Sequence, residues 1–379
     1  MTVRFEKRLT RSRAAIILVP IVSFILALLF GALLMLLFDI DPLQAYAGML
    51  KGALGSSYAL SETLAKAIPL MLTGLGCAIA FRMLFWNIGA EGQLIMGGIA
   101  ASYVALFLAN NLPAYVVLPL MMVFAILAGA MWGLIPAVLK ATLRVNEILT
   151  TLMMNYIAIE LVAFLYTGPW RDPDGFKYSA PFPESAWLPR LWGRAHAGLI
   201  FAVLAAVLIW FILSRTRLGF EIRVIGENPR AARYAGINIP RDIVLVMLLS
   251  GGLAGLAGMA ESSAIMRRLG DGLAAGYGYT AIVVAWLAYL NPFAVLFVAF
   301  LMAALLVGGA SLKSAMGLPA AVAEILQGAI LFFVLGSSIF VNYRLRLKRH
   351  EPEVSAPFRA TADLDPGLGA AKPKGGSHE

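Results

Sequence analysis

Long apolar runs alternate with short polar connections along most of the chain. The run from Ala14 to Phe38 contains no charged residue, and Pro20 and Ser23 are its main interruptions. About 20 apolar residues, each rising roughly 1.5 Å, cross a hydrocarbon core of about 30 Å. Because backbone polar groups in lipid must bond within their own segment, runs of this length predict membrane-spanning helices.

The pattern predicts an all-α fold, a polytopic transmembrane helical bundle of about ten spans within residues 14–345. The predicted spans lie near 14–38, 64–82, 93–110, 114–139, 147–167, 197–213, 243–265, 277–290, 293–310 and 320–341. The stretch 346–379 is rich in Pro, Gly, Ala and charged residues, which cannot build a core, so it is predicted to be a disordered cytoplasmic tail.

Composition supports a membrane protein. The chain is 60% hydrophobic and 13% charged, whereas soluble domains average about 45–50% and about 25%. The net charge of +9 does not indicate nucleic-acid binding, because the basic residues lie between apolar runs and form no continuous surface along a phosphate backbone.

The placement of lysine and arginine predicts the orientation, since cytoplasmic connections carry an excess of both. Basic clusters occupy residues 1–13, the connection 214–241 (the basic connection) and the stretch after the last predicted span. An even number of spans puts all three on one side, so both termini are predicted to be cytoplasmic, with 1–13 a basic N-terminal segment before a retained first span. Arg267 and Arg268 are exceptions, because this topology places them outside.

The longest connection on the opposite side is 168–196, the outer connection. It is rich in proline, tryptophan and tyrosine. Proline interrupts regular helix, and the aromatic residues favour the headgroup level. Two interpretations remain open: a loop that lies on the bilayer, and a lid or docking surface for a soluble partner.

The first informative motif is Asn87-Ile88-Gly89-Ala90-Glu91-Gly92-Gln93, between the second and third predicted spans. Its glycines and amides make a poor continuous membrane helix. A carboxylate near the bilayer is costly unless it is paired or solvated, so Glu91 is a candidate functional residue. The alternative is that Glu91 only stabilises the start of the next helix.

The second motif places Glu147, Thr151 and Asn155 four residues apart, which puts them on one helical face. Such a face of hydroxyl and amide groups can bond a solute or a neighbouring helix. The sequence alone favours the helix–helix interpretation only slightly.

The third motif lies in the basic connection, where a short helix is predicted. Asn228 is a favourable N-cap, Pro229 suits the first helical position, and Gly236 is a typical helix end. A loop that only fixed topology would not need such a marked start and stop. We therefore predict a rigid element that contacts a cytosolic partner.

Several kinds of chemistry are excluded by what the sequence lacks. The single cysteine, Cys77, has no disulfide partner, and the three histidines are far apart, so no metal site is predicted. There is no phosphate-binding loop, and the G-x-G-x-x-A match at 276–281 has no preceding strand. The chain is predicted not to be an enzyme. A secondary transporter or channel is the alternative function, and a lipid-modifying membrane enzyme is a more remote one.

Taken together, the motifs resemble one family, the permease subunits of ABC importers of the nucleoside and simple-sugar branch. The resemblance rests on NIGAEGQ (87–93), VNEILTTLMMNYIA (145–158), GFEIRVIGENPRAARYAGI (219–237) and GYGYTAIVVAWLAYLNPFAV (276–295). It implies a bacterial inner-membrane protein that works with a second permease chain, cytosolic ATPase subunits and an extracytoplasmic solute-binding protein. ATP and magnesium would then act on the ATPase partner, with no cofactor in this chain.

Roles are predicted for two sets of residues. The polar motifs predict a substrate-pathway set of Asn87, Glu91, Gln93, Thr151 and Asn155, and the resemblance implies the second set. The coupling helix, which would sit in a groove of the ATPase, lies within 219–237, and its predicted contact set is Gly226, Glu227, Asn228, Pro229, Arg230, Arg233 and Gly236. The chain departs from the usual family pattern at Trp86, where stacking on a base or sugar ring and anchoring at the interface are both open interpretations, and at Trp286 and Tyr289, bulky residues that would narrow the pathway.

Overall fold

The computed structural model describes residues 2–7, 13–37, 39–316 and 343–348, together with individual positions between 325 and 333. Its helices are α1 (Arg13–Leu37), α2 (Pro42–Leu54), α3 (Ser57–Arg82), α4 (Ala90–Tyr103), α5 (Ala114–Leu143), α6 (Glu147–Thr167), α7 (Gly198–Arg215), α8 (Arg217–Glu227), α9 (Pro229–Tyr234), α10 (Ile239–Ala260), α11 (Tyr277–Leu287) and α12 (Pro292–Met316). π-helical turns extend α4 through Val104–Leu108 and α10 through Glu261–Met266.

The prediction of an all-α polytopic membrane protein is confirmed. Seven helices within the described residues are long and apolar enough to cross a membrane. They are α3, α4 with its extension, α5, α6, α7, α10 with its extension, and α12. A bent pair, Ile25–Leu37 and Pro42–Leu54, provides an eighth candidate, with an angle of 117° between its two halves.

The remaining predicted spans have different outcomes. The span predicted at 277–290 is the 11-residue helix α11. At about 1.5 Å per residue it extends about 16 Å, roughly half of a hydrocarbon core, so this prediction of a full span was wrong. Most of the span predicted at 320–341 lies outside the described residues, as does the predicted tail beyond residue 348.

Helix α10 lies at the centre of the bundle, against α3, α4 and α5. Its small residues allow this close packing. A Cβ atom at Gly258 would collide with the Leu94 carbonyl oxygen, and one at Gly255 would collide with the Ala125 carbonyl oxygen. The backbone of α10 therefore touches the backbones of α4 and α5 directly.

The outer connection is folded against the end of α10. Strands β2 (Arg190–Trp192) and β3 (Ala195–His196) pair within it. The arginines that the topology left unexplained hold it in place, because the Arg267 guanidinium lies 3.8 Å from the Trp187 ring centroid and that of Arg268 lies 4.2 Å from the Tyr178 ring centroid. Both arginines are therefore on the same side as the outer connection.

The two ends of the described chain also meet. Strand β1 (Thr2–Lys7) pairs antiparallel with β4 (Tyr343–Lys348), in a register that sets Thr2 opposite Lys348. These strand pairs are small additions to a helical protein. The pairing brings the basic N-terminal segment to the basic stretch that follows the last predicted span.

Candidate functional site

Helix α3 ends in a polar break, residues 83–89, before α4 begins. Leu84 within it has a positive φ of 60°. The side chain of Asn87 is buried, and its Nδ2 donates to Gln93 Oε1 and to Ser250 Oγ, both at 3.0 Å. Gln93 Nε2 donates back to Asn87 Oδ1 at 3.1 Å. The break is thus tied to α4 and to the central helix α10.

Glu91 lies in the first turn of α4, but its carboxylate bonds to a different helix. Gly276 N donates to Oε1 at 2.8 Å and Gly278 N donates to Oε2 at 2.5 Å. These N–H groups open α11, where they have no acceptor in their own helix and where the helix dipole favours a negative charge. Glu91 therefore caps the half-length helix α11.

The polar face of α6 contacts the same region. Thr151 Oγ1 accepts a hydrogen bond from Ile88 N at 3.3 Å, and Asn155 Oδ1 accepts one from Gly92 N at 2.8 Å. Asn155 Nδ2 donates to the Ile88 carbonyl at 2.8 Å and to the Tyr279 hydroxyl at 3.2 Å. These contacts favour the helix–helix interpretation of the α6 face.

The structure brings the whole predicted pathway set together in one buried network. Each member is at most 1% exposed and bonds within the chain. A role as substrate ligands stays a prediction. What the geometry itself provides is a rigid joint between the polar break, α4, α6 and α11, whose members are Asn87, Glu91, Gln93, Thr151 and Asn155.

A second cluster of charged residues, which sequence reasoning missed, contacts the same first turn of α11 through Tyr277. Lys66 Nζ lies 3.4 Å from Glu261 Oε1 and donates to the Tyr277 hydroxyl at 2.5 Å. Lys66 and Glu261 are charges inside apolar runs, and that was the available signal. Their pairing across 195 residues could not be inferred from one sequence.

The short helix predicted in the basic connection is α9, and its predicted start is confirmed. Asn228 Oδ1 accepts hydrogen bonds from Arg230 N at 3.0 Å and Ala231 N at 3.2 Å, and Pro229 occupies the first helical position. Gly236 follows the helix with a φ of +74°. A residue with a side chain disfavours that conformation, which explains the glycine there.

A longer helix, α8, precedes α9 and was not predicted. Thr216 caps it by accepting from Gly219 N at 3.2 Å, and Ile222 and Ile225 are buried along it. The spacing of Leu218, Ile222 and Ile225 was the sequence signal for an amphipathic helix.

Helix α8 presses on the end of α3 where the polar break begins. A Cβ atom at Gly226 would collide with the Arg82 carbonyl oxygen. Arg82 Nη1 in turn donates to the Leu290 carbonyl, just after α11, at 3.3 Å. A displacement of α8 would therefore push on Arg82, which adjoins the polar break and is bonded to the end of α11.

A cavity of about 670 Å³ lies between α9, the polar break and the adjoining ends of α5 and α6. An ion pair lies in its wall, where Lys140 Nζ is 2.6 Å from Glu147 Oε2. Arg144 and Arg233 also line it.

The outward surface of α9 is exposed, and its cations have no ion-pair partner among the residues that the structure describes. Tyr234 is 94% exposed, and Arg230 and Arg233 are exposed and make no ion pair with any described residue. An ordered, capped helix with free cations at its surface is suited to bind a separate, acidic or polar protein surface.

Comparison with known proteins agrees with this arrangement. A family model described as "Branched-chain amino acid transport system / permease component" matches residues 59–335. The chain is 38% identical over 355 residues to the glucose ABC transporter permease protein TsgB13 of Haloferax volcanii, covering 90% of this chain and 93% of that one. It is 36% identical over 344 residues to the guanosine ABC transporter permease protein NupP of Bacillus subtilis, covering 89% and 98%.

A third relative, the nucleoside ABC transporter permease protein NupB of Lactococcus lactis, is 32% identical over 331 residues and covers 84% of this chain and 90% of its own. These relatives are transporter components and not enzymes. The chain belongs to this permease family, and it is a permease subunit of an ABC importer.

Proposed function

We propose that the chain moves a nucleoside or a related simple sugar into the cytoplasm, driven by ATP hydrolysis on a separate subunit. The observation that carries this proposal is the capped helix α9, which is exposed on its outward side and continuous with α8, whose Gly226 contacts the end of α3. In this proposal α9 is the coupling helix, and its ATPase contacts are those predicted from the sequence except Gly226, which lies against the Arg82 carbonyl of α3.

The proposed mechanism is mechanical. Closure of the ATPase subunits on ATP and magnesium pushes α9 and α8, and Gly226 transmits that push to Arg82. The polar break and α11 then move together, because Glu91 joins α4 to the first turn of α11. Rigid groups of helices that rock about a central site give alternating access in transporters generally.

The proposed partners are a second permease chain, ATPase subunits and an extracytoplasmic solute-binding protein. The relatives support a second, different permease, because both NupP and NupQ of Bacillus subtilis are guanosine permease proteins that match this chain, at 36% and 30% identity. Haloferax volcanii likewise has TsgB13 and the putative glucose permease protein TsgC13, at 38% and 28% identity.

The proposed location is the bacterial inner membrane, with both termini in the cytoplasm. The pairing of β1 with β4 supports a shared side for the two ends. The excess of arginine in the basic connection supports the same side for α9. A total of about ten spans requires crossings outside the seven helices that pass the length test among the described residues, and in this proposal one of them is made by the half-length helix α11 together with the non-helical chain before it.

Reconstitution tests the proposal. The chain is combined in proteoliposomes with its second permease, the ATPase subunits and the solute-binding protein, and uptake of radiolabelled guanosine and glucose is measured. We expect uptake that requires ATP, magnesium and the binding protein. Uptake that continues without the ATPase subunits would instead support the secondary transporter or channel.

A further inference from the structure

Three aromatic rings form a stacked cluster beside the polar break. The Trp86 and Trp286 ring centroids are 5.4 Å apart with an interplanar angle of 25°, and Phe81 stacks on Trp286 at 5.8 Å, also at 25°. Phe81 is 3% exposed, whereas Trp86 is 37% exposed. Phe81 and Trp286 therefore support Trp86, which presents a flat ring at the surface of the cluster. We call these three residues the aromatic wall.

The aromatic wall continues along one face of α11. Tyr279 and Trp286 are seven residues apart and share that face, while the residues between them on the other faces are mainly buried in the bundle. Tyr279 is 36% exposed, and its hydroxyl accepts a hydrogen bond from Asn155. The exposed rings thus lie directly beside the buried joint that the proposed mechanism moves.

Lipid anchoring alone does not account for the position of Trp86. Its neighbour Asn87 is fully buried and bonds to Gln93 and Ser250, so the backbone that carries the indole is fixed inside the bundle. The indole N–H of Trp286 is shielded from solvent and has no acceptor among the described residues. Buried donors are normally paired, and a solute with ring nitrogen or carbonyl acceptors offers such a partner.

We propose that the aromatic wall is a specificity-determining surface on which the planar base of a nucleoside stacks during passage, with Trp86 as the contacting ring. This inference rests on the proposed function and narrows its substrate class. Stacking on an aromatic side chain accepts any base, because every base has a π-face.

A hexose fits this surface less well than a nucleoside. Its hydroxyl groups surround the ring and need several free polar partners. The nearest polar side chains, Asn87, Gln93 and Asn155, already bond to one another or to the backbone of the chain. The surface offers ring area and one unpaired indole N–H, which suit a planar base better than the several hydroxyl groups of a hexose.

The test uses the complete transporter in proteoliposomes with saturating binding protein. The variants are Trp86→Leu, Trp86→Phe and Trp286→Leu. The matched control is Trp210→Leu, which removes a 41% exposed indole on α7 that contacts Phe293 and lies outside the aromatic wall. Guanosine uptake, glucose uptake, the amount of assembled complex and basal ATPase activity are measured for each.

We expect Trp86→Leu to lower guanosine uptake about tenfold or more, the size of one lost base–aromatic stack. Trp286→Leu should lower uptake less, and Trp86→Phe should restore most of it. Assembly should stay at the wild-type value in all of them, and Trp210→Leu should also keep wild-type guanosine uptake and basal ATPase activity.

Three results would overturn the inference. They are guanosine uptake by Trp86→Leu equal to that of Trp210→Leu, equal losses in the Leu and Phe variants together with lost assembly, and a wild-type complex that carries glucose but not guanosine. The last result would leave the importer function intact. A wild-type complex with no ATP-dependent uptake of either solute would overturn the proposed function itself.

Discussion

The outer connection and the basic connection are both long, ordered segments between helices, yet they satisfy their polar groups in opposite ways. In the outer connection, Ser179 N donates to the Leu269 carbonyl at 2.8 Å and Leu188 N donates to Ser263 Oγ at 3.0 Å. Its cationic neighbours Arg267 and Arg268 are covered by aromatic rings. In the basic connection, Arg217 pairs with Glu221 at 2.8 Å, whereas Arg230 and Arg233 of α9 are exposed and make no ion pair with a described residue.

This difference indicates which segment is completed by another protein. A connection whose polar groups already bond within the chain would gain few additional hydrogen bonds or ion pairs from a permanent partner protein. A capped helix with free arginines keeps its shape without a partner and still presents charge to one. The comparison therefore supports the proposal that the basic connection transmits force and that the outer connection closes the end of the bundle.

The largest expected effect comes from reversing charge on α9. In the double variant Arg230→Glu and Arg233→Glu, association with the ATPase subunits should be abolished, because like charges across an interface cost several kcal/mol. Co-purification with tagged ATPase measures it. The control is Arg190→Glu, an exposed charge in β2 of the outer connection, which should leave association unchanged. If the double variant still co-purified normally with the ATPase, α9 would not be the contact for that subunit.

The closure of the outer connection predicts a dependence on pH. Burial lowers the pKa of His196 to about 4, from 6.5 in an unfolded chain. Above pH 6.5 the His196 imidazole is neutral in both the folded and the unfolded chain, so no stability is lost through its protonation. Between pH 6.5 and 4 only the unfolded state binds the proton, so stability falls as pH falls, by up to about 3 kcal/mol.

Melting temperatures in detergent across this pH range measure the effect of His196. The variant His196→Leu should lose much of the slope between pH 6.5 and 4. An unchanged slope in this variant would show that the outer connection is open to water around residue 196.

A smaller effect is expected where α8 meets α3. Gly226→Ala places a methyl group against the Arg82 carbonyl oxygen, and overpacking of this kind costs about 1–3 kcal/mol. We expect transport per ATP hydrolysed to fall about tenfold while ATPase association persists, since about 1.4 kcal/mol corresponds to a factor of ten.

The matched control for Gly226→Ala is Gly270→Ala beside the outer connection. A Cβ atom at Gly270 makes only ordinary contacts, the nearest at 3.5 Å from Tyr178 Cβ. This variant should transport normally. Equal transport per ATP hydrolysed in the two variants would show that Gly226 does not transmit force.

The smallest effect is expected from Trp187→Leu, which removes the ring beneath the Arg267 guanidinium. A cation–π contact contributes about 0.5–1 kcal/mol at exposed sites and more when it is desolvated. The melting temperature should fall slightly, and ATPase association should not change. Loss of ATPase association in this variant would contradict the account, because it would show that the outer connection also affects the ATPase contact.

Features set by neighbouring residues were predictable from the sequence. Asn228 and Pro229 define the start of α9 through local bonds, and the apolar runs locate α3 to α7, α10 and α12. The spacing of Thr151 and Asn155 correctly placed both on one face of α6. These signals act over a few residues, so one sequence contains them completely.

Features that depend on distant residues were not predictable. Glu91 caps α11 across 187 residues, and Asn87 bonds Ser250 across 163. Tertiary bonds of this kind leave no periodic pattern in a single sequence. Helix α11 was predicted as a full span because its composition is apolar, whereas its length is limited by glycine at 276 and by the left-handed residues Tyr289 and Leu290.

The most direct test of the central claim labels the two connections from each side of the membrane. In a Cys77→Ala background, Tyr234→Cys reports on α9 and Phe176→Cys reports on the outer connection, where Phe176 is 54% exposed. A membrane-impermeant maleimide should label residue 234 only in inverted vesicles, with protection by bound ATPase, and residue 176 only in right-side-out vesicles. Labelling of residue 234 from outside, or without protection by the ATPase, would contradict the account.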